Sequence, residues 1–216
     1  MQSVEDICSN YKVILASSSP RRYEIMHDNM GFRDLETIKP SFEEDLDKNL
    51  YKNDPIKYVI DTSRCKAESI VSEFDLERDK QKKLIVCADT VVIDWDNLIY
   101  EKPGTKDKQL ANLKRFCFES DEPMRVVTAV TIISSDASDV KMTQFHEVSN
   151  VYFDSTIPEQ VVVDYVNSED GLQVAGGFKV QGFSGILIDR IDGDYFNIVG
   201  LPLNKTFKRL LQLASM

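Results

Sequence analysis

Val13-Ile14-Leu15-Ala16-Ser17-Ser18-Ser19-Pro20-Arg21-Arg22 reads as strand, loop and helix within ten residues. Val13 to Ala16 are small or apolar, as in a buried strand. Three serines then form a loop. Pro20 suits the first helical position, where its missing N–H costs nothing, and Ser19 stands before it as a natural N-cap. Arg21 and Arg22 follow at an end that already carries partial positive charge and favours acids. Two cations beside free N–H groups and three hydroxyls fit around a bound anion such as phosphate. The plainer alternative is a solvated arginine pair after an ordinary strand–loop–helix.

The 216-residue chain is long enough for one large domain or two small lobes. It is 42% hydrophobic and 29% charged, an ordinary globular composition. No apolar run approaches a membrane span, and Met1 to Asn10 has neither the basic nor the apolar region of a signal peptide. Cys8, Cys65, Cys87 and Cys117 are scattered, and only His27 and His146 could join them, which argues against a zinc site. These features predict reduced thiols and a cytoplasmic protein that needs no membrane. A formal net charge of −10 argues against a nucleic-acid polymer as partner. It leaves room for a small phosphate ligand in a local cationic pocket, with surplus carboxylates to hold a divalent metal.

Outward from the opening stretch, Tyr11 to Ala16 is expected as strand one. The helix from Pro20 places Tyr23, Met26 and Met30 on one apolar face and stops at Gly31. Phe32 to Leu50 reads as an acidic loop, in which Glu43, Glu44, Asp45 and Asp47 are solvated or supply a metal ligand. Asp54-Pro55 starts a helix to about Phe74, with Lys66 near its buried edge; alone, that lysine reads as a surface residue. Asp75 to Lys83 is a charged connection. Leu84 to Ala88 is a buried strand running into Asp89. A ligand in an open α/β sheet sits beyond the carboxyl ends of strands, and a buried carboxylate needs a metal, a cation or a strong hydrogen bond. Asp89 is therefore a ligand-site candidate, or else a cap for the following turn. Asp94 to Asn97 turns the chain back through Leu98 to Tyr100, and Lys102 then falls near Asp89. Thr105 caps a helix with Leu110, Leu113 and Phe116 inward. Arg125 to Ile133 and Val140 to Phe153 form an antiparallel pair around the turn Asp136–Asp139. Pro158 opens another helix. Gly176 to Gly182 is glycine-rich without a Rossmann or P-loop pattern, so its glycines serve close backbone approach around a pocket. The last helix turns Leu203, Phe207, Leu210 and Leu211 inward.

Six stretches together resemble the Maf, or septum-formation-inhibitor-like, nucleotide pyrophosphatases. They are Ala16–Arg22, Ala88-Asp89-Thr90-Val91-Val92, Lys102-Pro103, Val127-Thr128, Val180-Gln181-Gly182 and Tyr195–Pro202. They stand in the family's order and span nearly the whole chain. The resemblance implies a mixed twisted α/β sheet with flanking helices, one domain over residues 1–216, and two lobes around a nucleotide-binding cleft. It implies hydrolysis of nucleoside triphosphates to monophosphate and pyrophosphate with Mg²⁺ or Mn²⁺, and it allows a homodimer. Carried over residue by residue, Ser17, Ser19, Arg21 and Arg22 line the phosphate site. Asp89 is the general base and a metal holder, and Lys66 and Lys102 are the catalytic lysines. Glu43 or Glu44 assists the metal, and spacing does not choose between them.

Arg21, Thr90 and Gln181 match the branch that acts on dTTP and UTP, so a pyrimidine triphosphate, modified forms included, is the expected substrate. Thr90 and Gln181 are then the candidates for reading the base. Three departures stand out: Glu101 replaces the family's glycine before Lys102, Ala129 follows Thr128, and Gln173-Val174 replaces an Asp-Lys pair. The lost pair motivates the alternative of a nucleotide-binding regulator with weak catalysis. The chemistry requires charge neutralisation, a water aligned on the α-phosphorus and a proton acceptor. A carboxylate among cations is a weak base, so Asp89 is read as holding the metal, accepting the proton, or both.

Overall fold

Strand β3, Lys83–Ile93, is the spine of the molecule. Its residues are buried almost continuously, as in a strand covered on both faces. Because successive side chains alternate, Leu84, Val86 and Ala88 enter one apolar cluster while Ile85 and Cys87 enter another. Beyond residue 90 the alternation resumes with new neighbours, Val92 on one face and Val91 and Ile93 on the other. Asp89 and Thr90 are the polar seam between these halves.

The computed structural model describes residues 1–74, 76, 81–136 and 139–215. Most of the charged connection expected at Asp75–Lys83, and the middle of the turn expected at Asp136–Asp139, lie outside the described residues. The sheet runs β2-β1-β3-β5-β6-β7, with β4 (Ile99–Tyr100) pairing with β3. β1 (Lys12–Ala16) pairs in parallel with β2 (Glu36–Ile38) and β3. β5 (Met124–Asp136), β6 (Asp139–Phe153) and β7 (Ile188–Asp192) continue antiparallel. The chain is thus mixed α/β, and the two sides of the cleft share one continuous sheet.

Helix α3 (Pro55–Glu73), capped by the Asp54 side chain on Lys57 N, covers one face of both halves. On the other face, α1 (Gln2–Asn10), the turn after α2 (Pro20–Glu24) and α7 (Leu203–Ala214) cover the parallel half. The antiparallel half is covered by α4 (Lys106–Phe118) and α5 (Glu159–Asn167), joined by Ile198 of α6 (Tyr195–Val199). The cleft opens where these two groups of helices part over the seam.

Several expectations are corrected. Asp89 does not end its strand: β3 runs on to Ile93. What ends is its parallel partner, since the register of β1 stops at Ala16 opposite Cys87. Asp89 therefore lies beyond the carboxyl end of β1 while staying paired with Ala129 of β5. The segment from Phe32 is not all loop, because Glu36–Ile38 pairs with β1. Tyr23 is exposed while Met26 and Met30 are buried. The helix widens to a π turn over Ile25–Asn29, which rotates Tyr23 off the core face and stacks it on His27. Helix α1 has no counterpart in the sequence reading.

Candidate active site

The three-serine loop leaves β1 at the seam. Ser19 caps α2 as expected, its hydroxyl accepting from Arg22 N at 3.5 Å. Ser17 Oγ accepts from Ser19 N (3.2 Å) and from the Arg22 guanidinium (3.3 Å). A hydroxyl that accepts keeps its own hydrogen to donate, so Ser17 and Ser19 each retain a donor in the wall of a 630 Å³ cavity. That volume lies within the range of small-molecule sites. Ser18, Arg21, Arg22, Lys66, Asp89, Thr90, Lys102, Glu43 and Glu44 line the same space. Gln181 does not.

The two arginines have different surroundings. Arg22 donates to Gly200 O (2.9 Å), Ser17 Oγ (3.3 Å) and Thr90 Oγ1 (3.0 Å). Burial draws its pKa below the ordinary arginine value, against the opposing pull of Asp89 and Glu44. Among the described residues, the buried Nε of Arg21 has no hydrogen-bond partner. Burial lowers its pKa as well, with Asp170 opposing. Lys102 is exposed at the cavity wall and has no ion-pair partner among the described residues, Asp89 included. Lys39, which sequence reasoning passed over, lines the wall in the same condition.

On the α3 side of the seam, Lys66 is buried rather than at the surface, with 6% of its area exposed. Its Nζ lies 2.8 Å from Asp89 Oδ1 and 2.9 Å from Glu44 Oε1. The structure thereby separates Glu44 from Glu43: both line the cavity, but Glu44 alone joins the cluster. It does so at φ +57, a backbone region rare for residues other than glycine. Asp89 Oδ2 keeps no protein partner among the described residues. No group of three His, Cys, Asp or Glu able to hold a metal occurs among those residues. Two carboxylates already converging on one cation nevertheless fit Mg²⁺ or Mn²⁺, because Mg²⁺ takes one or two carboxylates and completes its shell with phosphate oxygens and water.

The other side of the seam is a polar relay. Thr90 and Thr128 face each other across β3 and β5, their hydroxyls 2.9 Å apart. Thr128 Oγ1 donates to Asn197 O and its N–H to Asn197 Oδ1, while Asn197 Nδ2 donates to Val126 O and Ser149 Oγ. Gly200, at φ +131, turns its carbonyl to Arg22. The closing motif Tyr195–Pro202 thus locks the opening motif through Asn197 and Gly200. Thr90 accepts from Arg22 and its one hydrogen is taken up by Thr128 or Gly200, so it can offer an incoming base only a lone pair. Thr128 and Asn197 were missed as site-building residues; the signal for them was the polar pattern Val-Thr and Asn within otherwise apolar runs.

Val92, Val126, Phe178 and Ile198 line the cavity and belong to one apolar cluster, giving it an apolar wall. Phe178 is fixed there by edge contacts with Phe116 and Phe153, at centroid distances of 6.4 and 5.2 Å. Gly176 permits the approach, since a Cβ there would stand 2.8 Å from Val92 Cγ2. This is the close packing expected of the glycine-rich stretch. It is also what carries Gln181 away. With Phe178 turned into the wall, Lys179–Gly182 closes as a tight turn (Gly182 N to Lys179 O, 2.7 Å) and leaves Gln181 exposed outside. Gln173, Val174 and Ala175 line the cavity instead.

The family profile described as "Maf-like protein" matches residues 12–213. The chain is similar to the dTTP/UTP pyrophosphatase of Saccharomyces cerevisiae, at 53% identity over 97% of this chain and 93% of that protein. It is similar to the dTTP/UTP pyrophosphatase of Schizosaccharomyces pombe at 38% identity, covering 91% and 81% of the two chains. A bacterial dTTP/UTP pyrophosphatase, from Thermoanaerobacter, is 31% identical over 91% of this chain and 93% of its own.

Proposed function

The chain belongs to the Maf family, and from that premise we propose that it hydrolyses dTTP and UTP to the nucleoside monophosphate and pyrophosphate. The observation that carries the reading is one cavity that brings together Arg21 and Lys102, neither ion-paired among the described residues, the Asp89–Lys66–Glu44 cluster, and an apolar wall. A triphosphate matches the cationic part, and a flat pyrimidine matches Val92, Val126, Phe178 and Ile198. We read residues 1–216 as one catalytic domain. Among the described residues no helix is long and apolar enough to cross a membrane.

In this reading Ser17, Ser19, Arg21 and Lys102 bind the phosphates, the charge-assisted contacts being the stronger ones. Arg22 keeps its internal partners and fixes the loop. Asp89 lines the cavity, and its Oδ2, without a protein partner among the described residues, accepts the proton of the water that attacks the α-phosphorus. Lys66 holds Asp89 by Oδ1, so that the accepting oxygen is set in place, and it offsets the charge that accumulates as pyrophosphate departs. Glu44 and Asp89 are the residues that would hold Mg²⁺ or Mn²⁺, whose chemistry when bound is Lewis-acid neutralisation of the triphosphate.

The test is a panel of nucleoside triphosphates with Mg²⁺ or Mn²⁺, scored for monophosphate and pyrophosphate together. Preferential turnover of dTTP and UTP is expected. Preference for a methylated guanosine triphosphate would overturn the substrate class, and absence of any turnover would overturn the reaction.

A further inference from the structure

Glu101 stands in the cavity wall just before Lys102, a carboxylate in addition to Glu43, Glu44 and Asp89. Its Oε1 accepts a 2.6 Å hydrogen bond from the Tyr58 hydroxyl, and its Oε2 forms a 2.5 Å ion pair with Lys48 Nζ. The same ammonium lies 5.6 Å from the centroid of the Tyr58 ring. Carboxylate, phenol and ammonium therefore form one cluster. Burial, reinforced by Glu101, raises the Tyr58 pKa, so the phenol stays a donor. The Glu101 carbonyl accepts from Gly176 N at 3.1 Å, tying in the opposite wall.

Between Ile38 and Lys48 the chain has no helix or strand. Within it Glu44 sits at φ +57, and such a backbone persists only where its surroundings over-determine it. Among the described residues, two ion pairs tie this part of the chain across the cavity: Glu44 to Lys66, and Lys48 at its far end to Glu101.

We propose that Glu101 is a positioning residue of this site. Through Lys48 it holds the Glu43–Glu44 segment against Asp89 and Lys66, while Tyr58 fixes the direction of the carboxylate. The ion pair also offsets a negative charge that would otherwise face the phosphates. The glycine of the resembled family could make neither side-chain contact. The role rests on the reading of this cavity as the nucleotide site.

Digestion of the full chain with a glutamate-specific protease, with the cut sites mapped, tests the latch directly. Cleavage after Glu43 and Glu44 tracks how often the segment opens. Glu101→Gln keeps an acceptor for Tyr58 but removes the charge; Lys48→Met removes its partner. Each is expected to speed cleavage there about threefold to tenfold, and the double variant no more than either single one. Lys48→Arg should restore protection. With dTTP and Mg²⁺, both single variants should raise KM more than they lower kcat. Unchanged cleavage in both single variants, or additive effects in the double, would overturn the latch, and a fall in kcat at constant KM would overturn the positioning role. The cleavage readout needs no turnover, so it separates failure of the latch from failure of the pyrophosphatase reading.

Discussion

Adjacent arginines carry opposite assignments. Arg22 donates to Gly200, Ser17 and Thr90, whereas the buried Nε of Arg21 has no hydrogen-bond partner among the described residues. Arg22→Ala should therefore act on stability. It removes a donor from one carbonyl and two hydroxyls and should cost about 1–3 kcal/mol, read as a lower midpoint in thermal unfolding. Arg21→Ala should leave that midpoint nearly unchanged and lower kcat/KM for dTTP about 10- to 100-fold, from the loss of one charge-assisted contact worth about 1.5–3 kcal/mol. Equal effects of the two variants on both readouts would contradict the division. Asp89→Asn removes the free carboxylate oxygen and should lower kcat about 10²- to 10⁴-fold while the fold stays intact; kcat within a few-fold of wild type would remove Asp89 as the proton acceptor. The sequence shows the arginine pair but not which member is free, because that is decided by Gly200, 178 residues away along the chain.

At the scale of elements, α3 departs most from its apparent pattern. Its buried residues include Asp61, Thr62, Ser63 and Lys66 as well as Val59, Ala67 and Ile70. Each polar member has its own partner, as burial demands: Thr62 donates to Tyr58 O, Ser63 meets Thr131, and Lys66 meets Asp89. A count of apolar spacing finds the helix and its cap, yet it cannot tell a lysine paired across to a strand from one in water. Asp61 gives the helix a pH signature. Burial acts to raise its pKa, but hydrogen bonds from Lys57 and Tyr51 and the charge of Arg64 outweigh it and leave the value below the ordinary one. A depressed carboxylate contributes stability that is fully present above the unfolded value, about 3.9, and is lost as pH falls through the folded value. Between about pH 5 and 3, wild type should lose thermal stability more steeply than Asp61→Asn. Parallel profiles would remove Asp61 from the acid response.

Across the whole molecule, the site exists because two covered halves of one sheet meet at Asp89 and Thr90. The strands, the long β5–β6 pair, the capped helices and most of the cavity wall were legible, because periodicity and turn chemistry are local. Helix α1, the short β2 and the outward turn of Gln181 were not, because each is settled by packing against distant chain. The closing motif bears on this scale. Asn197 is fully buried and bridges β5, β6 and α6. Asn197→Ala should cost about 2–4 kcal/mol through unsatisfied backbone and hydroxyl groups, or roughly 4–16 °C in midpoint at 2–4 °C per kcal/mol. A shift under about 2 °C would show that the bridge contributes little.

The proposed reaction is attack of water at the α-phosphorus. Hydrolysis of dTTP or UTP in ¹⁸O-labelled water, with the products separated and weighed by mass spectrometry, tests it most directly. The expected products are monophosphate and pyrophosphate in equal amounts, with the label in the monophosphate alone. Label in the pyrophosphate, or release of diphosphate nucleoside and orthophosphate, would contradict it.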